Sequence, residues 1–308
     1  MQGEYPVIQA LLEYRSLSAR IDTFALVLPE RIHQTTGRIH PNWFQIGARS
    51  GRFSCREPNL TNIPRDKETR LCFKAAPGYA LLKADYSQIE LRIVAKVSGD
   101  RTMVKAYSQG EDLYSLTASL VLAKPLSEIT LEDRQLGKII NFGLIYGMGI
   151  RKFKNMAQAE HGVILTLQQV SHFRKKFFES YTGIKQFHAL VRSAWNRGIR
   201  ESRTVLARRR LRSKDTKPLL NEMLNNPIQE MSADITKLAL ALLFLPLSSR
   251  MGAKLICVVH DEILIDCPLE EVMPVKALLK KCMVRAGNKF LSPIPCEVEI
   301  KVMESWGG

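Results

Sequence analysis

The chain is short of acid. Its 308 residues carry 30 Asp and Glu against 45 Lys and Arg, a formal net charge of +15. A surplus of that size points to a polyanionic partner. Nucleic acid comes ahead of membrane, because no basic amphipathic helix stands at a terminus. No apolar run in the sequence nears the length of a bilayer span. The first residues, MQGEYPVIQALLEYRS, place an acid before a short, interrupted apolar stretch, which is not a signal-peptide pattern. These absences give the expectation of an intracellular setting without a membrane partner. Cysteine is sparse, six residues at 55, 72, 257, 267, 282 and 296, with no C-x-x-C pair and no Cys/His cluster at zinc spacing. Three of the six lie in apolar runs and read as buried thiols in a reducing compartment. There is no internal repeat and no low-complexity segment. The length suits one large or two ordinary domains with a sizeable core.

What is present centres on VVHDEILID, Val258 to Asp266. Apolar, β-branched residues flank a polar break that holds two adjacent acids, Asp261 and Glu262. The pattern predicts a hairpin with the acids at its turn. Taken alone, such a turn is as well explained by solvation. A second apolar run, YALLKAD, also ends in an acid, Asp85. Two strands that each end in Asp can converge their carboxylates on divalent ions.

Along the chain, Val7, Leu11, Leu12 and Leu17 predict one amphipathic helix over residues 5–22, with Arg15 and Arg20 outward. GARSGRFSCREPNLTNIPR follows, with few apolar residues and many that bond backbones or phosphates. It reads as a long loop, either disordered or functional. Past Asp85, the spacing of Ile89, Ile93 and Val97 turns strand into helix, and Gly99 is a stop signal. Helices dominate from about 101 to 200. TVLARRRLRSK (204–214) reads as a basic hairpin or loop, a solvated face in its plainest reading. A helix from Leu219 to Leu245, the acid hairpin, another helix and the alternating strand CEVEIKVM complete the chain.

The clearest helix carries ITLEDRQLGKIINFGLIYGMG, with Thr130 and Asp133 in capping-box register and Gly147 and Gly149 ending it. Arg134, Lys138, Phe142 and Tyr146 are spaced by four, so they form one slanting stripe. The stripe is either a mixed surface or a bed for a nucleotide, with phosphates on the cations and a base on the rings.

DYSQIELR (85–92), RQLGKIINFGLIYG (134–147) and HDE (260–262) together resemble motifs A, B and C of the family A DNA polymerases. GRFSCREPNLTNIP resembles the family's template-primer segment, and NNPIQ its minor-groove helix. The resemblance implies an α+β, multidomain, right-hand polymerase fold, an antiparallel palm sheet with an inserted helical fingers domain. It assigns 1–22 to the last thumb helix, 23–100 and 215–308 to the palm, and 101–214 to the fingers.

By the same resemblance, the chain is expected to add deoxynucleotides to a primer 3′-hydroxyl with two Mg2+ ions. Asp85, Asp261 and the Tyr86 carbonyl are the expected metal ligands. Glu262 is a weaker catalytic acid, and Lys138 joins the catalytic set. Arg134, Lys138, Phe142, Tyr146, Gln88 and Glu90 would bind the nucleotide. Arg52, Asn62, Asn225, Gln229 and His260 would meet the primer-template DNA. Glu90 favours deoxynucleotides over the ribonucleotides of single-subunit RNA polymerases, because a carboxylate there crowds a 2′-hydroxyl. Two departures stand out: Tyr114 where the family often has His, and Asn221 where it often has Arg. The resemblance also implies that no exonuclease domain lies in this chain, and that a separate N-terminal polypeptide could supply thumb or exonuclease. A basic nucleic-acid-binding module and a two-metal nuclease are the competing readings.

Overall fold

The computed structural model describes residues 6–199, 201–206, 208–211, 220–250 and 252–308. In chain order the elements are α1 (Pro6–Arg20), α2 (Val27–Glu30), β1 (Asn42–Phe44), β2 (Ser54–Arg56), α3 (Lys67–Leu71), β3 (Tyr79–Tyr86) and α4 (Ile89–Ser98). The helices α5 (Arg101–Ser108), α6 (Leu113–Leu122), α7 (Leu131–Ile145), α8 (Ile150–His161), α9 (Leu167–Ser180) and α10 (Thr182–Asn196) follow. Then come β4 (Glu201–Arg203), β5 (Arg209–Leu211), α11 (Leu220–Arg250), β6 (Lys254–Val259), β7 (Glu262–Pro268), α12 (Val272–Leu291) and β8 (Val298–Met303). Tyr5, Ala207, residues 212–214 and Leu219, which the sequence placed in the first helix, the basic run and the long helix, lie outside the described residues.

The chain divides into two compact units: Met1–Lys83 with Met251–Val275 and Lys301–Gly308, and Ala84–Arg250 with Lys276–Ile300. The expected palm and fingers segments divide at other places, about 100 and 214.

A four-stranded sheet has the order β6-β7-β3-β8, and the first unit holds β6, β7, Tyr79–Lys83 of β3 and Lys301–Met303 of β8. β6 and β7 pair antiparallel, with a register shift between Leu255 and Cys257. β7, EILIDCP, is buried at every position, which is why it reads as a continuous apolar run rather than an alternating one. Its one interior acid, Asp266, is paired with Arg38 at 2.5 Å. The segment expected to be a long loop departs from that expectation. β2 lies within it and pairs antiparallel with β1 just ahead of it, and Cys55, Leu60 and Ile63 enter one core cluster with Leu81, Val259, Leu264 and Trp306. Those apolar residues have no strand or helix period, so their burial was invisible in sequence. Each such side chain contributes roughly 1.5–3 kcal/mol when fully removed from water.

The second unit is helical. α7 lies on α6, and Gly137 makes the approach possible: a Cβ there would stand 2.1 Å from the Tyr114 carbonyl oxygen. Asn141 on the same side of α7 donates to Thr117 Oγ1 at 2.9 Å. α11 packs on α4 and α10. Its stretch Leu220–Ser248 is long and apolar enough to cross a bilayer by length and composition, contrary to the sequence expectation, but more than half of its most apolar 18 residues are buried within the fold. Packing against neighbouring helices accounts for its apolar character. Within the basic run, Arg209–Leu211 forms β5, which pairs antiparallel with β4 just ahead of the run, Ser202 opposite Arg210. All six cysteines are free, and all but Cys72 are buried.

Candidate active site

In the first unit, His260 and Asp261 alone join β6 to β7, since Val259 already pairs with Glu262. A two-residue hairpin needs a left-handed position, usually filled by Gly or Asn. His260 takes it here, with φ +60°, a strain of roughly 1–2 kcal/mol for a residue with a Cβ. His260 is exposed and Asp261 half-buried. The expectation that both acids sit at the turn needs correction, because Glu262 is the first residue of β7 and is turned inward, 8% exposed. Trp306 Nε1 donates to its Oε1 at 2.5 Å. Arg70 and Lys83 stand 3.5 and 3.4 Å from its Oε2. The Arg70 guanidinium lies over the Trp306 indole, 4.2 Å from its centroid. Burial would expel a lone carboxylate, so these partners keep Glu262 in place. Arg52 is half-buried in this unit, and Asn62 is exposed on the 3-10 turn Leu60–Asn62.

In the second unit, Asp85 is half-buried near the end of β3. Tyr86 beside it is buried, and its hydroxyl donates to the Met283 carbonyl at 3.0 Å. The chain then enters α4 through Gln88, whose φ of +53° is left-handed. Side-chain bonds support that conformation: Gln88 Nε2 donates to Asp112 Oδ1 at 3.2 Å, and Tyr107 Oη donates to Gln88 Oε1 at 3.2 Å.

α7 begins with the expected capping box of Thr130 and Asp133. With Gly137 and Asn141 committed to α6, the stripe Arg134, Lys138, Phe142 and Tyr146 occupies another face. Arg134 and Lys138 are half-buried, and Phe142 is 36% exposed. Arg134 makes a two-pronged bond to Asp112, Nε to Oδ2 at 2.9 Å and Nη2 to Oδ1 at 3.0 Å. Its guanidinium lies 5.2 Å from the Tyr114 ring centroid, and that ring is 6.3 Å from Phe142. Burial pushes the Tyr114 hydroxyl up to about 12, so it stays a proton donor across the physiological range. Burial alone would raise the Asp112 carboxyl, but hydrogen bonds from Arg134 and Ser115 outweigh it and hold the group below the usual carboxylate range. Tyr146 Oη donates to Glu90 Oε2 at 2.5 Å. Lys138 has no hydrogen bond or ion pair among the described residues. All six expected nucleotide residues lie in the second unit, where Arg134 and Gln88 share Asp112 and Tyr146 bonds Glu90, while Asn225 and Gln229 lie half-buried on α11.

Sequence reasoning missed three participants. Asp112 caps α6 by accepting from the Ser115 amide at 2.9 Å, and an Asp three residues ahead of Ser before an apolar run is a legible cap signal. His188 Nε2 donates to the Ile145 carbonyl at 2.8 Å, at the end of α7. Burial, with Arg192 and Arg174 nearby, lowers its pKa and keeps the ring neutral. Nothing in sequence marks it, nor the pairing of Arg70 with Trp306.

The family model for DNA polymerase family A matches residues 1–308. The chain is 38% identical over 301 residues to DNA polymerase I of Aquifex aeolicus, covering 97% of this chain and 51% of that protein. It is 32% identical over 318 residues to the thermostable DNA polymerase I of Thermus thermophilus, 99% of this chain and 37% of that one. The chain therefore spans about half or less of the curated relatives it matches. Among solved structures, the polymerase domain of Pol1 from M. smegmatis, in complex with DNA primer-template and dNTP, superposes with a TM-score of 0.85 at 30% identity, covering 98% of this chain and 53% of that one. The matched motifs, the mixed α+β fold and the full-length family match agree, and the chain belongs to DNA polymerase family A.

Proposed function

We propose that this chain carries the catalytic part of a template-directed DNA polymerase, adding deoxynucleotides to a primer 3′-hydroxyl. The observation that carries the reading is the face of the second unit on which Arg134 and Gln88 share Asp112, Tyr146 bonds Glu90, and Lys138 and Phe142 lie on the same α7 stripe. Arg134 and Lys138 would neutralise triphosphate charge. Phe142 and Tyr146 would stack on the base and sugar. Glu90, held by Tyr146, would crowd a ribose 2′-hydroxyl. Asn62, Arg52, His260, Asn225 and Gln229 would contact primer-template DNA, the partner named for the M. smegmatis relative. The +15 charge suits that partner.

Asp85, Asp261 and the Tyr86 carbonyl would hold Mg2+. Among the described residues no three His, Cys, Asp or Glu side chains form a ready-made metal cage. Two carboxylates and a carbonyl are a hard, oxygen-only donor set that leaves room for substrate oxygens and water, as magnesium requires. When bound, the ions would supply activation of the attacking hydroxyl and charge neutralisation at the leaving pyrophosphate. The palm and fingers divisions at 23–100, 215–308 and 101–214, and a thumb role for residues 1–22, belong to the same proposal. α1 exposes Val7, Leu11, Leu12 and Leu17, which supports a partner polypeptide against that helix.

A labelled primer on a template, incubated with Mg2+ and all four deoxynucleotides, tests the reading. Extension is expected. Binding without extension would favour the binding module, and shortening the nuclease. Asp85→Asn or Asp261→Asn should cut extension by orders of magnitude while primer-template binding survives. Near-full turnover by Asp261→Asn would refute the metal assignment.

A further inference from the structure

The two cations of the α7 stripe are in different states. Lys138 has no partner among the described residues. Arg134 is already engaged, its fork closed on both oxygens of Asp112. This is the geometry in which a guanidinium binds a carboxylate or a phosphate, and it cannot serve both at once with the same two N–H groups. Both side chains of the pair are partly open to water, Arg134 41% and Asp112 32% exposed. Exchange of one anion for another at Arg134 therefore needs no unfolding.

We propose that Asp112 is a positioning residue that competes with the incoming triphosphate for Arg134. The inference rests on the nucleotide reading of the α7 face. The carboxylate acts as an internal stand-in for phosphate: it pre-aims the guanidinium, and it must be displaced before the nucleotide is fully held. Each nucleotide is thereby charged an exchange cost at Arg134, whereas Lys138 is available from the start. A triphosphate supplies more than one anionic oxygen and outcompetes one carboxylate. A ligand with a single weak anionic group does not, so the pair filters against such ligands. Displaced Asp112 is not stranded, since Ser115 N and Oγ still donate to its Oδ2, at 2.9 and 2.8 Å, and Gln88 to its Oδ1.

The alternative is that Asp112 merely caps α6 and fixes Arg134 as a strut. Asp112→Asn separates the two, because it keeps a cap oxygen and removes the charge. Titration of the chain with dATP, without primer, should give a dissociation constant roughly three- to tenfold lower for Asp112→Asn than for wild type, the range expected when a half-exposed ion-pair competitor is removed. The nucleotide KM in primer extension should fall with it, with little change in kcat. Adding Arg134→Ala should abolish the gain. Asp112→Ser, a shorter neutral cap, gives the same comparison by a second route. An unchanged or raised dissociation constant in both Asp112 variants would overturn the proposal. Because the titration needs no turnover, a chain that binds dATP but extends no primer would sink the polymerase reading and leave this one standing. An extending enzyme with unaltered dATP affinity in the variants would do the reverse.

Discussion

Each unit of the molecule contains a trio of acid, arginine and aromatic ring. In the first it is Glu262, Arg70 and Trp306, with the Glu262 and Arg70 side chains 10% and 6% exposed. In the second it is Asp112, Arg134 and Tyr114, with the ion pair 32% and 41% exposed. The parts are the same and the solvent is not. In the sealed trio each charge has almost nothing but its partners to replace lost water, so the arrangement is fixed. It anchors the first residue of β7 and with it the two-residue turn bearing Asp261. In the open trio water can take over from either partner, so the bond is exchangeable, and it sits where a phosphate is expected. Burial, more than residue type, separates a structural ion pair from a working one.

The largest expected effect lies on the open side. Glu90 should exclude ribonucleotides, and Glu90→Ala should raise their incorporation by orders of magnitude relative to deoxynucleotides. A competition assay in which the variant stays as selective as wild type would remove Glu90 from the sugar pocket. Next in size is the contrast between the trios themselves. Arg70→Met should destabilise the fold by about 3 kcal/mol, because Glu262 is left buried with weaker support. Arg134→Met should cost under about 1 kcal/mol, as for exposed pairs. Urea midpoints that fall equally for both variants would erase the distinction. Gly137→Ala tests the seat of the open trio. The new Cβ would meet the backbone carbonyl of Tyr114 at 2.1 Å, which α7 can relieve only by moving, at a cost of roughly 1–3 kcal/mol. The same variant should weaken nucleotide binding, since Tyr114 and Arg134 would separate.

The smallest effect concerns pH. Burial lowers the His188 pKa below its ordinary 6.5. As pH falls through 6.5 the unfolded chain takes up a proton before the folded one does. Its contribution to stability is thus complete above that value and is lost on acidification toward the folded pKa. His188→Gln should flatten this part of the stability profile. Asp112, depressed below 3.8, should hold its contribution down to lower pH and lose it only as pH falls through its folded value. A stability profile between pH 7 and 5 that is identical in wild type and His188→Gln would contradict the neutral assignment.

What was legible in the sequence was periodic or adjacent. The α7 stripe repeats every four residues, its capping box spans three, and the acid hairpin is a local pattern of β-branched residues about a polar break. What was not legible depends on partners distant in sequence. Glu262 reads as half of an acid turn until Trp306, 44 residues on, and Arg70, far upstream, are seen around it. Cys55, Leu60 and Ile63 lack any period, because they pack against the sheet one at a time from a bent segment. Asp112 looks like a helix cap, which it is, but its grip on Arg134 appears only when α6 and α7 are in contact through Gly137. The apolar length of α11 likewise makes sense only beside α4 and α10.

The direct test of the difference between the two trios is to observe both arginines at once. In a 15N-labelled chain, the guanidinium Nε–H signals of Arg70 and Arg134 can be followed by NMR as dATP is added. The Arg134 signal, identified by its absence from Arg134→Lys, should shift with saturable dependence on dATP, while Arg70 stays where it was. If Arg134 does not respond while dATP binds, or if Arg70 moves as far as Arg134, the distinction between a sealed and an exchangeable pair is wrong.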